Sequence, residues 1–177
     1  MIAGVGRFLI GLLAGLCVIP AVIFVYFRFG FAPVETSAGA MPFEKSLARM
    51  ALHARISREA PKQTQIPVTE ANLVAGAKVY RDYCMACHGA ASGPRTALQQ
   101  GMYPRPPLLL QGTGVTDDLV GQTYWVVKHG IRTTGMPAFE HALTDLELWQ
   151  VSLLAANAQN LPPAASASIA QPPAGLP

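Results

Sequence analysis

Five consecutive residues, Cys84-Met85-Ala86-Cys87-His88, constrain this chain more than any other stretch. Two cysteines three positions apart serve a redox-active dithiol, half of a zinc site, or the covalent clamp of a haem. A thioredoxin-type dithiol needs a strand-to-helix turn in a βαβ setting, and residues 67–160 hold no run with strand alternation. A structural zinc ion needs four ligands, usually from a second closely spaced pair, whereas His129 and His141 stand twelve residues apart. Haem attachment accounts for all three residues at once: Cys84 and Cys87 add to the two vinyl groups, and His88 falls under the iron as an axial ligand.

An iron with one histidine asks for a second ligand, and Met136, Met102, His129 and His141 are the candidates. Met136 stands in "TTGMPAF", where Gly135 allows close backbone approach and Pro137 stiffens the loop and holds its predecessor extended. A thioether on such a strap is a soft ligand that favours ferrous iron. Met102, in a Gly/Pro-rich loop, reads as packing. His129, before Gly130 at a helix end, reads as a partner of the helix dipole.

Four segments organise the chain. Residues 1–28 contain Phe8 to Phe27, twenty residues without a charge, between Arg7 and Arg28. At about 1.5 Å per residue this run covers about 30 Å, a bilayer's hydrocarbon core. A cleaved signal peptide using Ala38-Gly39-Ala40 is the rival reading, but the run exceeds the roughly 7–15 residues of a signal's apolar region, so a retained transmembrane helix is expected. Residues 29–66 form a stalk in which Phe43, Leu47, Met50 and Ala54 fall at helical spacing among Lys45, Arg49, Arg55 and Arg58. Pro61 should end this amphipathic helix.

Residues 67–161 read as an all-α domain with long loops. Thr69 should cap a helix over 70–83, Thr116 a second over 117–129 that Gly130 ends, and Thr144-Asp145-Leu146-Glu147 is a capping box between the staple residues Leu143 and Leu148. Residues 162–177, rich in Pro and Ala and without a charge, are expected to be a flexible tail. The formal charge of +3 sits in the first 60 residues; residues 61–177 hold seven basic and seven acidic side chains, with no basic stripe for nucleic acid.

The Cys84–His88 motif, Gly135-Met136-Pro137 and a final aromatic-bearing helix together resemble a class I c-type cytochrome over about residues 68–160. The resemblance implies a small helical domain around one covalently bound haem c, with His88 and Met136 as axial ligands. It implies that the first and last helices cross through a small residue and an aromatic, at Gly76, Tyr80 and Trp149. A proline carbonyl, of Pro106 or Pro107, would accept the proton of the histidine's outer nitrogen and fix its orientation. Arg105, Trp125 and Arg132 are candidate partners of the haem propionates. Haem attachment in this family occurs outside the bacterial inner membrane, which implies a single-pass protein with residues 29–177 in the periplasm.

With both axial positions filled there is no place for a small-molecule substrate, and no nucleophile has a base and an orienting partner. The expected activity is therefore single-electron transfer between redox proteins of the periplasm or membrane, without catalysis. Two alternatives compete: an integral haem subunit of a larger dehydrogenase or terminal oxidase, and a haem sensor or peroxidase whose methionine leaves the iron.

Overall fold

The computed structural model describes residues 2–112 and 114–171, and its helices occur without strands among them. The chain divides into two compact units, Met1–Lys45 and Ser46–Pro177. In the first, α1 (Ile2–Arg28) carries Pro20 without breaking, and Phe8, Leu13, Ile19 and Phe24 are exposed along it. Its residues Gly4–Arg28 are long and apolar enough to cross a membrane. Just beyond, the Phe31 N–H donates to Tyr26 O (3.0 Å) and the two rings stack.

Helix α2 (Glu44–Glu59) ends two residues before Pro61, as the proline demands. Ile56 is buried, and the Pro61 carbonyl packs so tightly on Gly121 that a Cβ there would lie 1.8 Å from the oxygen. The end of the expected stalk is thus part of the second compact unit.

Helix α3 (Glu70–Val79) begins where Thr69 Oγ1 accepts from Asn72 N–H (3.3 Å). It does not run on as an α-helix to residue 83: Tyr80–Cys84 form a π turn, closed by Met85 N–H on Tyr80 O, before α4 (Met85–His88) resumes the α pattern. One extra residue in the turn rotates all that follows by about 100° about the helix axis. A short helix, α5 (Ala97–Gly101), has its own capping box between Thr96 and Gln99.

Helix α6 (Val120–His129) starts three residues later than the sequence suggests, with extended Leu119 at its N-cap and no side-chain cap. Thr116 does not cap it. Its hydroxyl instead faces Gln159 Nε2 (3.5 Å), and Asp118 N–H turns back onto Val115 O (3.2 Å), which holds residues 115–118 in turns. Gly130, at φ +67°, ends the helix as expected.

Helix α7 (Asp145–Ala156) has the full capping box, Glu147 N–H to Thr144 Oγ1 and Thr144 N–H to Glu147 Oε2. Leu143 and Leu148 are both buried in the same core. Helix α7 crosses α3 at Gly76, where a Cβ would lie 2.2 Å from Gln150 O. Tyr80 and Trp149 are buried at this crossing, and Trp149 stacks on Tyr124 of α6 at 4.1 Å.

The expected flexible tail is corrected in part. Pro163–Ala170 form α8, with Pro at its first turn, and α8 packs on α3 with Ala165, Ser168 and Ile169 buried. Alanine is the best helix former, and spacing Ala165, Ser168 and Ile169 at three and four residues makes one small face that fits α3. Residues 172–177 of that expected tail lie outside the described residues.

Candidate functional site

The motif sits where α3, the π turn and α4 meet the loop after α4. Cys84 is buried and Cys87 half-buried, and both thiols are free. Burial, with a smaller contribution from neighbouring Cys87, pushes the Cys84 thiol up to about 12. A catalytic dithiol needs the opposite, a stabilised thiolate. Among the described residues no three His, Cys, Asp or Glu side chains converge as a metal ion would require.

His88 Nδ1 lies 2.9 Å from Pro107 O. A carbonyl can only accept, so Nδ1 carries the proton and Nε2 keeps a free lone pair. Burial lowers the His88 pKa and the bond to Pro107 partly offsets this, so the net effect favours the neutral ring. A neutral, oriented imidazole with its inner nitrogen unprotonated is the form that binds iron. Of the two candidate prolines the structure selects Pro107. The Pro106 carbonyl is taken by Arg95 Nη1 (2.7 Å).

Three contacts not foreseen in the sequence hold this segment. Tyr80 Oη donates to Gly89 O (2.7 Å), and burial, with a smaller contribution from Cys84, raises that hydroxyl's pKa. Gln99, almost fully buried, donates from Nε2 to Ala86 O (3.1 Å) and accepts from Thr96 N–H at Oε1 (3.1 Å). The pattern Thr96-Ala97-Leu98-Gln99 is a capping-box signature, so α5 was findable; Gln99's grip on Ala86 was not. Gly89 sits at φ +81°, a backbone conformation that strains any L side chain, and Leu108 Cδ2 packs against it.

Met136 is half-buried and packs against the core cluster. Its strap is tied by Met136 N–H to Thr134 Oγ1 (3.1 Å), Ile131 N–H to Met136 O (3.1 Å) and Phe139 N–H to Val127 O (3.1 Å). Gly130 admits it closely: a Cβ there would lie 2.8 Å from Met136 O and 2.7 Å from Ala138 N. Met102 Cε rests on the Gly135 backbone, so close that a Cβ there would fall 2.3 Å from it. Met102 therefore buttresses the strap. Tyr83, next to Cys84, meets Phe139 of the strap edge to face at 6.1 Å.

The family model described as cytochrome c oxidase, cbb3-type, subunit III matches residues 71–153, from α3 to within α7. The chain carries a class I c-type cytochrome domain. Comparison with curated proteins gives no match. The cytochrome domain binds haem c covalently, and two free thiols followed at once by an oriented histidine are a donor set that fits it.

The remaining candidates are less gathered. Arg105 and Arg132 are exposed, and Trp125 is half-buried with its ring tilted on His129 at 5.0 Å. A cavity of ≈ 300 Å³ opens beside the motif, lined by Asp82, Met85, Ala86, Gln99 and Leu108 among others. Neither cysteine, nor His88, nor Met136 lines it, so it is a separate feature from the candidate ligand residues.

Proposed function

We propose that the chain is a membrane-anchored single-haem electron carrier, with His88 and Met136 as the axial ligands of the iron. The observation that carries this reading is the His88 Nδ1 bond to Pro107 O, which presents a neutral Nε2 on the residue that ends the Cys84–Cys87 clamp. The bound haem supplies a one-electron couple whose potential a thioether raises. The chain's own residues do the rest. Cys84 and Cys87 anchor the group, Pro107 orients His88, and Gly130, Gly135 and Met102 hold the Met136 strap in place. Arg105, Trp125 and Arg132 remain candidates for the propionates. In this reading Gly4–Arg28 anchors the chain in a bacterial inner membrane, the periplasmic side for the cytochrome domain follows from where the resembling family receives its haem, and redox proteins are the partners, with no small-molecule substrate.

The printed description of the matching family favours a second reading, a haem subunit of a terminal oxidase. Purification in mild detergent separates the two: a carrier emerges alone, a subunit with companions. The ligand assignment is tested by the far-red band of iron–thioether ligation in the oxidised protein. Met136→His should abolish the band and lower the potential. Met102→Leu, which keeps the volume against Gly135, should retain both. The reverse pattern would refute the assignment.

A further inference from the structure

Helix α2 has two apolar faces, and only one is covered. At 100° per residue, Leu52 and Ile56 lie roughly opposite Leu47, Met50, Ala51 and Ala54. Leu52 is half-buried and Ile56 buried, whereas Leu47 is 57% and Met50 63% exposed, with both alanines exposed as well. The covered face is fixed at its end by Pro61 on Gly121, and His53 stands close enough to Asp118 to act on its charge. Within Ser46–Glu59 three arginines, Arg49, Arg55 and Arg58, face one acid, Glu59, which Arg55 (2.8 Å) and Arg58 (3.6 Å) share.

We propose that the Leu47, Met50, Ala51 and Ala54 face of α2 lies in the headgroup region of an anionic lipid surface, making α2 the bracket that orients the cytochrome domain on the membrane. Two arguments favour lipid over a protein partner. One exposed Leu, one exposed Met and two alanines are a small apolar area to set against the freedom lost when a separate protein associates. A face tethered to a bilayer is spared most of that cost. Only fifteen residues, 29–43, separate α1 from α2, a reach of at most about 50 Å. The excess arginine then supplies complementarity to anionic headgroups, while the long arginine stems let the charges stay at the water boundary.

The proposal rests on the anchoring read from Gly4–Arg28, and the test keeps the two apart. Full-length haem-loaded protein with Cys17→Ser is reconstituted in phosphatidylcholine vesicles with or without phosphatidylglycerol. A nitroxide is placed at Met50→Cys or, as the off-face control, at Ala48→Cys. The expected result is a shift of collisional relaxation at position 50 from a water-soluble nickel complex towards oxygen. Position 48 stays open to nickel, and the shift is larger with phosphatidylglycerol. Arg55→Gln with Arg58→Gln, the two arginines on or beside that face, should reduce it to the phosphatidylcholine level. A label at 50 open to nickel in vesicles that retain the protein after a salt wash would overturn the α2 proposal and leave the anchor standing. Release of the chain by salt would overturn the anchor. Shielding of position 50 from both relaxants would assign the face to protein, also against the proposal.

Discussion

Single side chains near the motif carry loads that the deletion of one atom group can measure. Gln99 is the clearest: Gln99→Ala removes two part-buried bonds, to Ala86 O and from Thr96 N–H, and empties the buried space that Gln99 fills. Each lost bond is worth about 0.5–1.5 kcal/mol, so denaturant midpoints should fall while the covalent haem is retained. Tyr80→Phe removes only the bond to Gly89 O and should cost about 1 kcal/mol. The motif itself was readable because covalent attachment fixes residue types at fixed spacing. Pro107 was not separable from Pro106, because adjacent carbonyls differ only in where the folded loop aims them. Nor did the sequence reveal Met102 against Gly135, a contact between loops far apart in the chain.

At the scale of elements, the α3–α7 crossing and the α7 cap set stability. Gly76→Ala drives a methyl to 2.2 Å from Gln150 O, and overpacking of this kind costs about 1–3 kcal/mol or more. Gly101→Ala, with nothing within 4 Å of the new methyl, should instead be neutral or stabilising. Equal effects of the two in thermal unfolding would contradict the close crossing. Hydrogen bonds from the Thr144 hydroxyl and backbone N–H hold the Glu147 carboxyl below its usual range. A carboxylate depressed in the folded state contributes stability above its unfolded pKa and loses it as pH falls through the folded value. Stability of the native chain should therefore decline more steeply on acidification through the carboxylate range than that of Glu147→Gln. The capping boxes and Gly130 were legible because caps are local rules. The π turn was not, since it answers to where Tyr80 and Cys84 must point in the core, and neither was the late start of α6, where Thr116 meets Gln159 and does not cap the helix.

On the scale of the whole molecule, the C-terminal segment is structural and the N-terminal one is an anchor by our reading. Truncation after Leu161 uncovers the α3 surface that Ala165 and Ile169 bury. Losing Ile169 alone should cost about 1.5–3 kcal/mol, whereas a free tail would cost nothing. Composition misled here because a charge-free Pro/Ala segment cannot build a core by itself, yet one helical face of it completes a core built by others. The central claim is that protein side chains fill both axial positions, which makes the cytochrome domain a carrier and not a sensor or peroxidase. Adding carbon monoxide to the reduced, detergent-solubilised full-length protein tests this most directly. The account predicts an unchanged Soret spectrum for the native chain and an open, carbon monoxide-binding iron for Met136→Ala. Stoichiometric binding to the native protein, or a closed iron in Met136→Ala, would contradict it.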